Sequence, residues 1–294
     1  MKKGFALLVD SARCTSCYNC FLACKDEHCE QTAPGYAEAQ PMTGQYWMNV
    51  VEKERGTFPK IRLSSYPVSC MHCRNAPCIK ASKDGAVYRR DDGIVIIDPE
   101  KAVGQKQIVD ACPYRIIYWN AEQNLPQKCT MCAHLLDQGY SKPRCVEMCP
   151  TGALSFTTVE DLEAGKFEDW HPGVGNPEPL HPEYGCAERV LYLNLPKKFV
   201  AGTVVFDDTD ECAKGVTVTL KGDGLSKSLE TDGFGDFWFE GIDNNTEYSV
   251  LFEANGYASQ EIKTRTARDV NLDEVILTKE FTCFHTSVSV LSAL

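Results

Sequence analysis

The 294-residue chain is short of positive charge. Its 30 Lys and Arg against 41 Asp and Glu leave a net charge of −11, which argues against nucleic acid or an anionic membrane surface as a partner. Long apolar runs are also missing: none approaches the roughly 18 residues of a membrane span, so no spanning segment is expected. The first ten residues hold two lysines and a run of only five apolar residues, Phe5 to Val9, before Asp10, with no small-residue cleavage site and no twin-arginine pair. They read as a first strand, residues 5–9, of a cytoplasmic protein rather than as an export signal. No nucleophile triad and no phosphate-binding loop is present, so no catalytic residue is assigned. Hydrophobic content of 43% is nevertheless enough for a packed core, and the length fits about two domains.

What the chain has in excess is cysteine, 16 in all. Cys14, Cys17, Cys20 and Cys24 follow one another at spacings of two, two and three. Cys70, Cys73 and Cys78 form a second block, Cys112 stands alone before Pro113, and Cys129, Cys132, Cys145 and Cys149 close the series before Pro150. Runs of this spacing hold iron–sulfur clusters, with the last cysteine of a run serving the other cluster of a pair. A zinc site needs only Cys-x-x-Cys pairs. The fourth block alone fits zinc, but the prolines and the interlocking spacing of the whole set do not. A disulfide scaffold fails because four cysteines within eleven residues cannot bridge a fold.

The rule of exchanged fourth ligands assigns three sites. Counting back from Cys112 at spacings of three, two and two lands on Ile108, Gln105 and Ala102, and Ser82 stands three residues after Cys78. One site of a pair has therefore lost all four ligands together, while its sister keeps Cys70, Cys73, Cys78 and Cys112. The first and fourth blocks then exchange: Cys14, Cys17, Cys20 and Cys149 hold one cluster, and Cys24, Cys129, Cys132 and Cys145 hold another. The chain is built for four clusters and is expected to carry three [4Fe-4S] clusters. Cys29, Cys186, Cys212 and Cys283 are left over as ordinary thiols. His72 and His134 are either donors to the clusters or structural residues. Lys128, Arg144 and Arg74 lie beside ligands, either raising cluster potentials or as solvated surface charge.

Four segments carry a resemblance: Cys70-Met71-His72-Cys73-Arg74-Asn75-Ala76-Pro77-Cys78, Asp92 to Lys101, Cys112-Pro113-Tyr114, and Gln127-Lys128-Cys129-Thr130-Met131-Cys132. Over about residues 4–197 the chain resembles the iron–sulfur subunits that accompany bis-pterin molybdenum enzymes of the dimethyl-sulfoxide-reductase superfamily. That likeness implies a large catalytic subunit as partner, carrying a molybdenum or tungsten bis-pterin, and an electron-transfer role for this chain. The loss of one cluster and the presence of an extra C-terminal domain are similar to the small subunits of the transhydroxylases acting on pyrogallol and phloroglucinol. Resorcinol hydroxylases and catechol dehydroxylases are near neighbours. The motif around Cys145–Ala153 does not separate them.

The expected fold class is α+β: a duplicated ferredoxin-like domain over residues 1–157, a connector over 158–198, a seven-stranded β-sandwich over 199–279 and a tail over 280–294. A helix is predicted from Tyr18 to His28, an insertion over 30–66 with a strand at Tyr46–Glu52 and a turn at Arg55-Gly56, and a hairpin around Asp91-Asp92-Gly93. Residues 100–111 read as helix, and Arg115–Trp119 and Gly152–Thr157 as strands. In the connector, four prolines exclude a long helix, Val190–Leu195 reads as a strand, and Trp170, Leu180 and Tyr184 suggest a packed segment. Beyond Phe199, alternating runs every eight to twelve residues, separated by turns such as Asp232-Gly233 and Asn255-Gly256, predict an antiparallel sandwich. The phrases Thr231–Phe237 and Glu253–Tyr257 resemble the Cna-B or carboxypeptidase-regulatory-like fold. Asp207–Glu211 reads as a solvated loop rather than a calcium site.

Three functions follow from the sequence. The first is the electron-transfer subunit of a transhydroxylase-like pterin enzyme acting on polyhydroxylated aromatics. The second is a wire in a reductive or respiratory molybdenum complex, and the third a scaffold with structural clusters.

Overall fold

The computed structural model describes residues 4–166, 175–209 and 211–280. The expectations placed on Trp170, Asp210, Cys283 and the tail from Thr282 to Leu294 lie outside the described residues. The chain divides into two compact units, one of residues 1–53 and 63–195, the other of residues 54–62 and 196–294.

In the first unit the elements run β1 (Phe5–Asp10), α1 (Asn19–His28), β2 (Met48–Thr57), β3 (Lys60–Ser69), α2 (Pro77–Ala81), β4 (Val87–Arg89), β5 (Val95–Ile97), α3 (Gln107–Asp110), β6 (Tyr118–Asn120), β7 (Leu125–Gln127), α4 (Ala133–Asp137), α5 (Arg144–Glu147), β8 (Leu154–Thr158), α6 (Val159–Glu163), β9 (Glu178–Pro179) and β10 (Val190–Leu193). The far ends of β2 and β3 belong to the second unit. The one larger sheet has the order β8-β1-β10-β9. β1 is central and apolar from Phe5 to Val9, because both its faces are covered there. Side chains alternate across a strand: Leu7 and Val9 point into the core that holds the cysteines, while Ala6 and Leu8 pack with Val159 and Leu162 of α6. β10 pairs parallel to β1, Leu7 opposite Val190, and β8 pairs antiparallel, Leu8 opposite Ser155. The segment expected as a connector therefore supplies a strand of this sheet, which explains its Val190–Leu193 run.

The hairpin at Asp91-Asp92-Gly93 forms as expected, Val87 opposite Ile97. Residues 100–111 do not form one helix. Gly104 stands at φ +76°, in the left-handed region where a helix cannot continue, and only Gln107–Asp110 is helical. Arg115 also has positive φ, and the strand starts later, at Tyr118. The turn between β2 and β3 falls at Phe58-Pro59 rather than at Arg55-Gly56.

The second unit contains β11 (Lys198–Phe206), β12 (Thr217–Gly222), β13 (Leu225–Glu230), β14 (Asp236–Ile242), β15 (Glu247–Glu253), β16 (Gln260–Arg265) and β17 (Val270–Leu277). They form one sheet of order β14-β11-β17 and another of order β13-β12-β15-β16. The pairing departs from a purely antiparallel sandwich: β11 and β17 run parallel, Val204 beside Val275. Inward residues alternate along β14 (Phe237, Phe239) and β15 (Tyr248, Val250, Phe252) and fill a core with Val200, Val204 and Leu220. Gly235 has φ +74°, and a Cβ there would stand 2.3 Å from the Val204 carbonyl oxygen, so the turn before β14 requires glycine. Asp232 fixes that turn by accepting the N–H groups of Phe234 and Asp236, each at 2.9 Å.

The hairpin end, residues 54–62, is bound in this unit by charge and ring contacts. Arg55 forks onto Asp269, with Nε to Oδ2 at 3.0 Å. Lys60 pairs with Asp236, and the Arg62 guanidinium lies 3.8 Å from the centre of the Trp238 ring.

Candidate metal centres

Three Cys-x-x-Cys loops repeat one backbone device. The residue before the second cysteine, Ser16, His72 or Met131, has positive φ in each loop, at 54°, 42° and 55°. A right-handed residue followed by a left-handed one turns successive N–H groups to the same side and makes a nest for an anionic group such as a cluster. Two of the loops show it directly: His72 N–H points at Cys70 Sγ (3.5 Å) and Met131 N–H at Cys129 Sγ (3.3 Å). Such a conformation is unfavourable for Ser, His and Met, and its threefold recurrence ties it to the loops' common task.

The fold gathers the cysteines in three groups. Cys20 sits with Cys14, Cys17 and Cys149. Burial pushes its thiol up to about 12, the neighbouring sulfurs add to this, and the Phe21 N–H works against it. A small cavity opens between these four sulfurs and is closed by Tyr18, Pro67 and Pro150, among others. Cys24, raised first by burial, has Cys129 and Cys132 beside it; Cys145, likewise buried, has Cys132, Cys129 and Cys24, and then Cys20 of the first group. Helices α1 and α5 pack together and bring this second group into being. Cys73, again raised by burial, shares its surroundings with Cys70, Cys186, Cys78 and Cys112. Of the expected ligands, eight are buried, Cys14, Cys112 and Cys149 are partly exposed and Cys17 is exposed.

Burial raises the thiols of Cys20, Cys24, Cys73, Cys78, Cys112, Cys129, Cys132 and Cys145, so a bound metal must displace their protons. Among the described residues no three His, Cys, Asp or Glu side chains converge on a single ion. A four-iron cubane carries its thiolates on the outside and asks for no such convergence. Each loop also holds one buried side-chain polar atom with no partner: Ser16 Oγ, His72 Nε2 and Thr130 Oγ1. An orphaned buried polar group costs about 1–3 kcal/mol, and cluster sulfurs are acceptors that would relieve it. The donor chemistry, the nests and the orphans fit iron–sulfur clusters at all three groups.

The fourth set of positions is filled by protein instead. Ala102 and Ile108 are fully buried in the core. Gln105 Oε1 accepts the Lys83 N–H at 2.8 Å, and its Nε2 donates to the Lys101 carbonyl at 2.8 Å. Ser82 Oγ donates to the Ile79 carbonyl and accepts the Val87 N–H. These four positions form a filled, hydrogen-bonded corner between α2 and α3.

Neighbours of the sites resolve the readings the sequence left open. His134 is paired with Glu27 (2.9 Å), which also takes Arg144 (2.8 Å), while the Arg144 N–H and charge also act on the Cys132 sulfur. Arg74 pairs with Glu163 at the surface. Lys128 is buried, 2% exposed. The 30–66 insertion covers the second group: the Trp47 ring lies tilted against His28, with ring centres 4.9 Å apart, and the Met48 N–H points at the Cys24 sulfur. Cys186, read from sequence as an ordinary thiol, proves to lie beside the third group. Its Sγ donates to the Tyr184 carbonyl at 3.5 Å and its carbonyl accepts the Asn75 N–H at 2.9 Å. Nothing in its spacing announces that position, because the contact depends on β10 returning past residues 74–75.

Comparison with known proteins agrees with this chemistry. Residues 61–159 match the 4Fe-4S dicluster domain, and residues 200–277 the carboxypeptidase regulatory-like domain. The chain belongs to the iron–sulfur, electron-transferring subunits of molybdopterin oxidoreductases of the dimethyl-sulfoxide-reductase superfamily. Within that class it is 43% identical, over 91% of its own length and 97% of the relative's, to the pyrogallol hydroxytransferase small subunit of Pelobacter acidigallici. It is also 32% identical to a tetrathionate reductase subunit of Salmonella typhimurium, over 67% of this chain and 74% of that one. To a sulfite dehydrogenase subunit of Allochromatium vinosum it is 34% identical, over 54% of this chain and 70% of that one. Among the described residues no helix is long and apolar enough to cross a membrane.

Proposed function

We propose that the chain holds three [4Fe-4S] clusters and serves a large molybdenum or tungsten bis-pterin subunit acting on polyhydroxylated aromatics, in a transhydroxylase-like reaction. The ligand sets are Cys14, Cys17, Cys20 and Cys149; Cys24, Cys129, Cys132 and Cys145; and Cys70, Cys73, Cys78 and Cys112. The observation that carries the reading is the gathering of these twelve thiols into three groups while the fourth set of positions is closed by Ala102, Gln105, Ile108 and Ser82. The pairing of α1 with α5 and of α2 with α3 supports a duplicated ferredoxin-like arrangement ending near residue 157, with the sandwich over 199–279 as a separate, non-catalytic domain.

Bound clusters supply one-electron storage and transfer. The protein holds the thiolates, excludes water from most of them, and offers N–H donors to sulfur, which favours the more negative, reduced state. In a transhydroxylation the aromatic substrates undergo no net redox change, so the clusters set the redox state of the pterin metal rather than carry bulk current. The substrate class is supported by the 43% identity that extends through the C-terminal unit. Co-purification of the partner and assay on pyrogallol, resorcinol and catechols tests it: hydroxyl transfer to pyrogallol is expected, and reduction of catechols alone refutes it.

The likeness to tetrathionate reductase and sulfite dehydrogenase subunits favours a second reading, a wire to an external electron carrier. Rapid cluster re-oxidation by a soluble or membrane carrier, at a rate matching substrate turnover, would select it.

A further inference from the structure

Among the cations described near the thiol groups, Lys128 is deeply buried. Lys128 precedes Cys129 and is 2% exposed. Its Nζ donates to the carbonyls of Val95 and Cys129, the latter at 3.0 Å. Among the described residues no carboxylate pairs with it, whereas Arg144 and Arg74 each have a glutamate. A buried ammonium without a counter-ion is strongly unfavourable in a low-dielectric interior. Two carbonyl dipoles relieve part of that. The rest calls for negative charge, and the amino acids here do not provide it.

The groups around Lys128 say where that charge belongs. Its positive charge acts on the sulfur of Cys78, in the third group, and on that of Cys129, in the second. Those groups approach each other at this point, since the Cys70 N–H also points at the Cys129 sulfur. β5 ties the arrangement together. Val95 gives its N–H to His72 Nδ1 at 3.0 Å and its carbonyl to Lys128. One residue thus locks a side chain from the Cys70 loop and one from the Cys129 loop. With Nδ1 accepting, His72 carries its proton on Nε2 and stays neutral, so it does not compete with Lys128 as a cation.

We propose that Lys128 is the shared counter-ion of two clusters, the one held by Cys70, Cys73, Cys78 and Cys112 and the one held by Cys24, Cys129, Cys132 and Cys145. It raises the reduction potential of both, because a fixed cation stabilises the added electron at either site. In the group of Cys14, Cys17, Cys20 and Cys149, what acts on Cys20 is burial, the Phe21 N–H and the three other sulfurs, so its cluster is left unshifted. Electrons arriving in the chain then settle on the two sites flanking Lys128. This rests on the ligand assignment proposed above.

The test is potentiometric titration by electron paramagnetic resonance of the co-purified complex, with iron counted first. Wild-type protein with about twelve iron atoms per chain upholds the ligand reading; a different count overturns that reading, independently of Lys128. In Lys128→Met the iron is expected to stay while the midpoints of two clusters move to more negative potential and the third stays in place. Lys128→Arg is expected to keep wild-type midpoints. If Lys128→Met does not retain its clusters, Lys128→Gln is read in its place, because its amide keeps a donor to the carbonyls without the charge. A shift of none, one or all three midpoints overturns the proposal.

Discussion

Replacing Cys24 by alanine tests the architecture of the cluster region more sharply than any other single change. Cys24 belongs to the same eleven-residue run as Cys14, Cys17 and Cys20, so a reader of the local motif would assign it to their cluster. In the fold it is carried by the middle of α1, 7% exposed, and faces Cys129 and Cys132. In the proposed ligand assignment the variant removes one of four thiolates from the second cluster and none from the first. Three complete clusters amount to about twelve iron atoms per chain, so loss of one leaves about eight. Capture of a three-iron form by Cys129, Cys132 and Cys145 would leave about eleven, with a changed spectrum. The assay is iron and sulfide content together with low-temperature paramagnetic resonance of the reduced protein, compared with Cys129→Ala and Cys14→Ala. Cys24→Ala and Cys129→Ala must abolish the same signal, and Cys14→Ala and Cys149→Ala another. If Cys24→Ala instead abolishes the signal lost in Cys14→Ala, the exchange of ligands between α1 and α5 is wrong.

Cys186→Ser is expected to keep about twelve iron atoms per chain, because its thiol is engaged with the Tyr184 carbonyl; loss of a cluster would make it a ligand. Phe237→Ala removes a ring that is 1% exposed and packs edge-on to Phe252 with centroids 5.4 Å apart, and should lower the unfolding free energy of the second unit by about 3–5 kcal/mol in urea titration. Asp236 is raised by burial but lowered more by Lys60 and Thr203, so its folded pKa lies below its ordinary value. The unfolded state then binds more protons as the medium is acidified. Asp236 therefore contributes stability that is fully present above about pH 4 and lost as pH falls through the folded pKa. Asp236→Asn should flatten the acid limb of the urea midpoint without changing its shape above neutrality, and an unchanged acid limb would remove the assignment.

The thiol groups were legible in the sequence because iron ligation is written in local loops. Each loop needs its cysteines at fixed spacing, and the exchanged fourth ligand of the proposed assignment would leave its trace in Cys24 and in the Cys-Pro pairs at 112 and 149. Strand placement was legible where one face is wet, as in β14 and β15, whose alternation marks the core directly. The hairpin end at 54–62 was not. It has almost no apolar pattern, and its partners Glu240, Trp238 and Asp269 lie far along the chain. The parallel pairing of β11 with β17 was also hidden, since alternation fixes which face is buried and says nothing of direction. The role of Lys128 was invisible for a further reason. Sequence shows a charge beside a ligand, and only the returning strand β5 shows that the charge is walled off from water and from every carboxylate described.

The proposed three-cluster reading also accounts for the absence of thiols at all four of positions 82, 102, 105 and 108. A lone thiol left behind at position 82, 102, 105 or 108 would gain nothing from iron, since one thiolate cannot hold a cubane, and the emptied nest would leave N–H groups facing a void. The stable alternative closes the void and spends the donors. Ala102 and Ile108 supply the filling, both fully buried. Gln105 takes the Lys83 N–H, and Ser82 takes that of Val87. Each substitution suits the collapsed corner and would harm a cluster. Restoring a single cysteine, as in Ser82→Cys, is therefore expected to leave iron at wild-type content while weakening the Val87 contact. A gain of about four iron atoms per chain from that one change would mean that the corner is still a preformed cluster site, and the account of a three-cluster chain would fall.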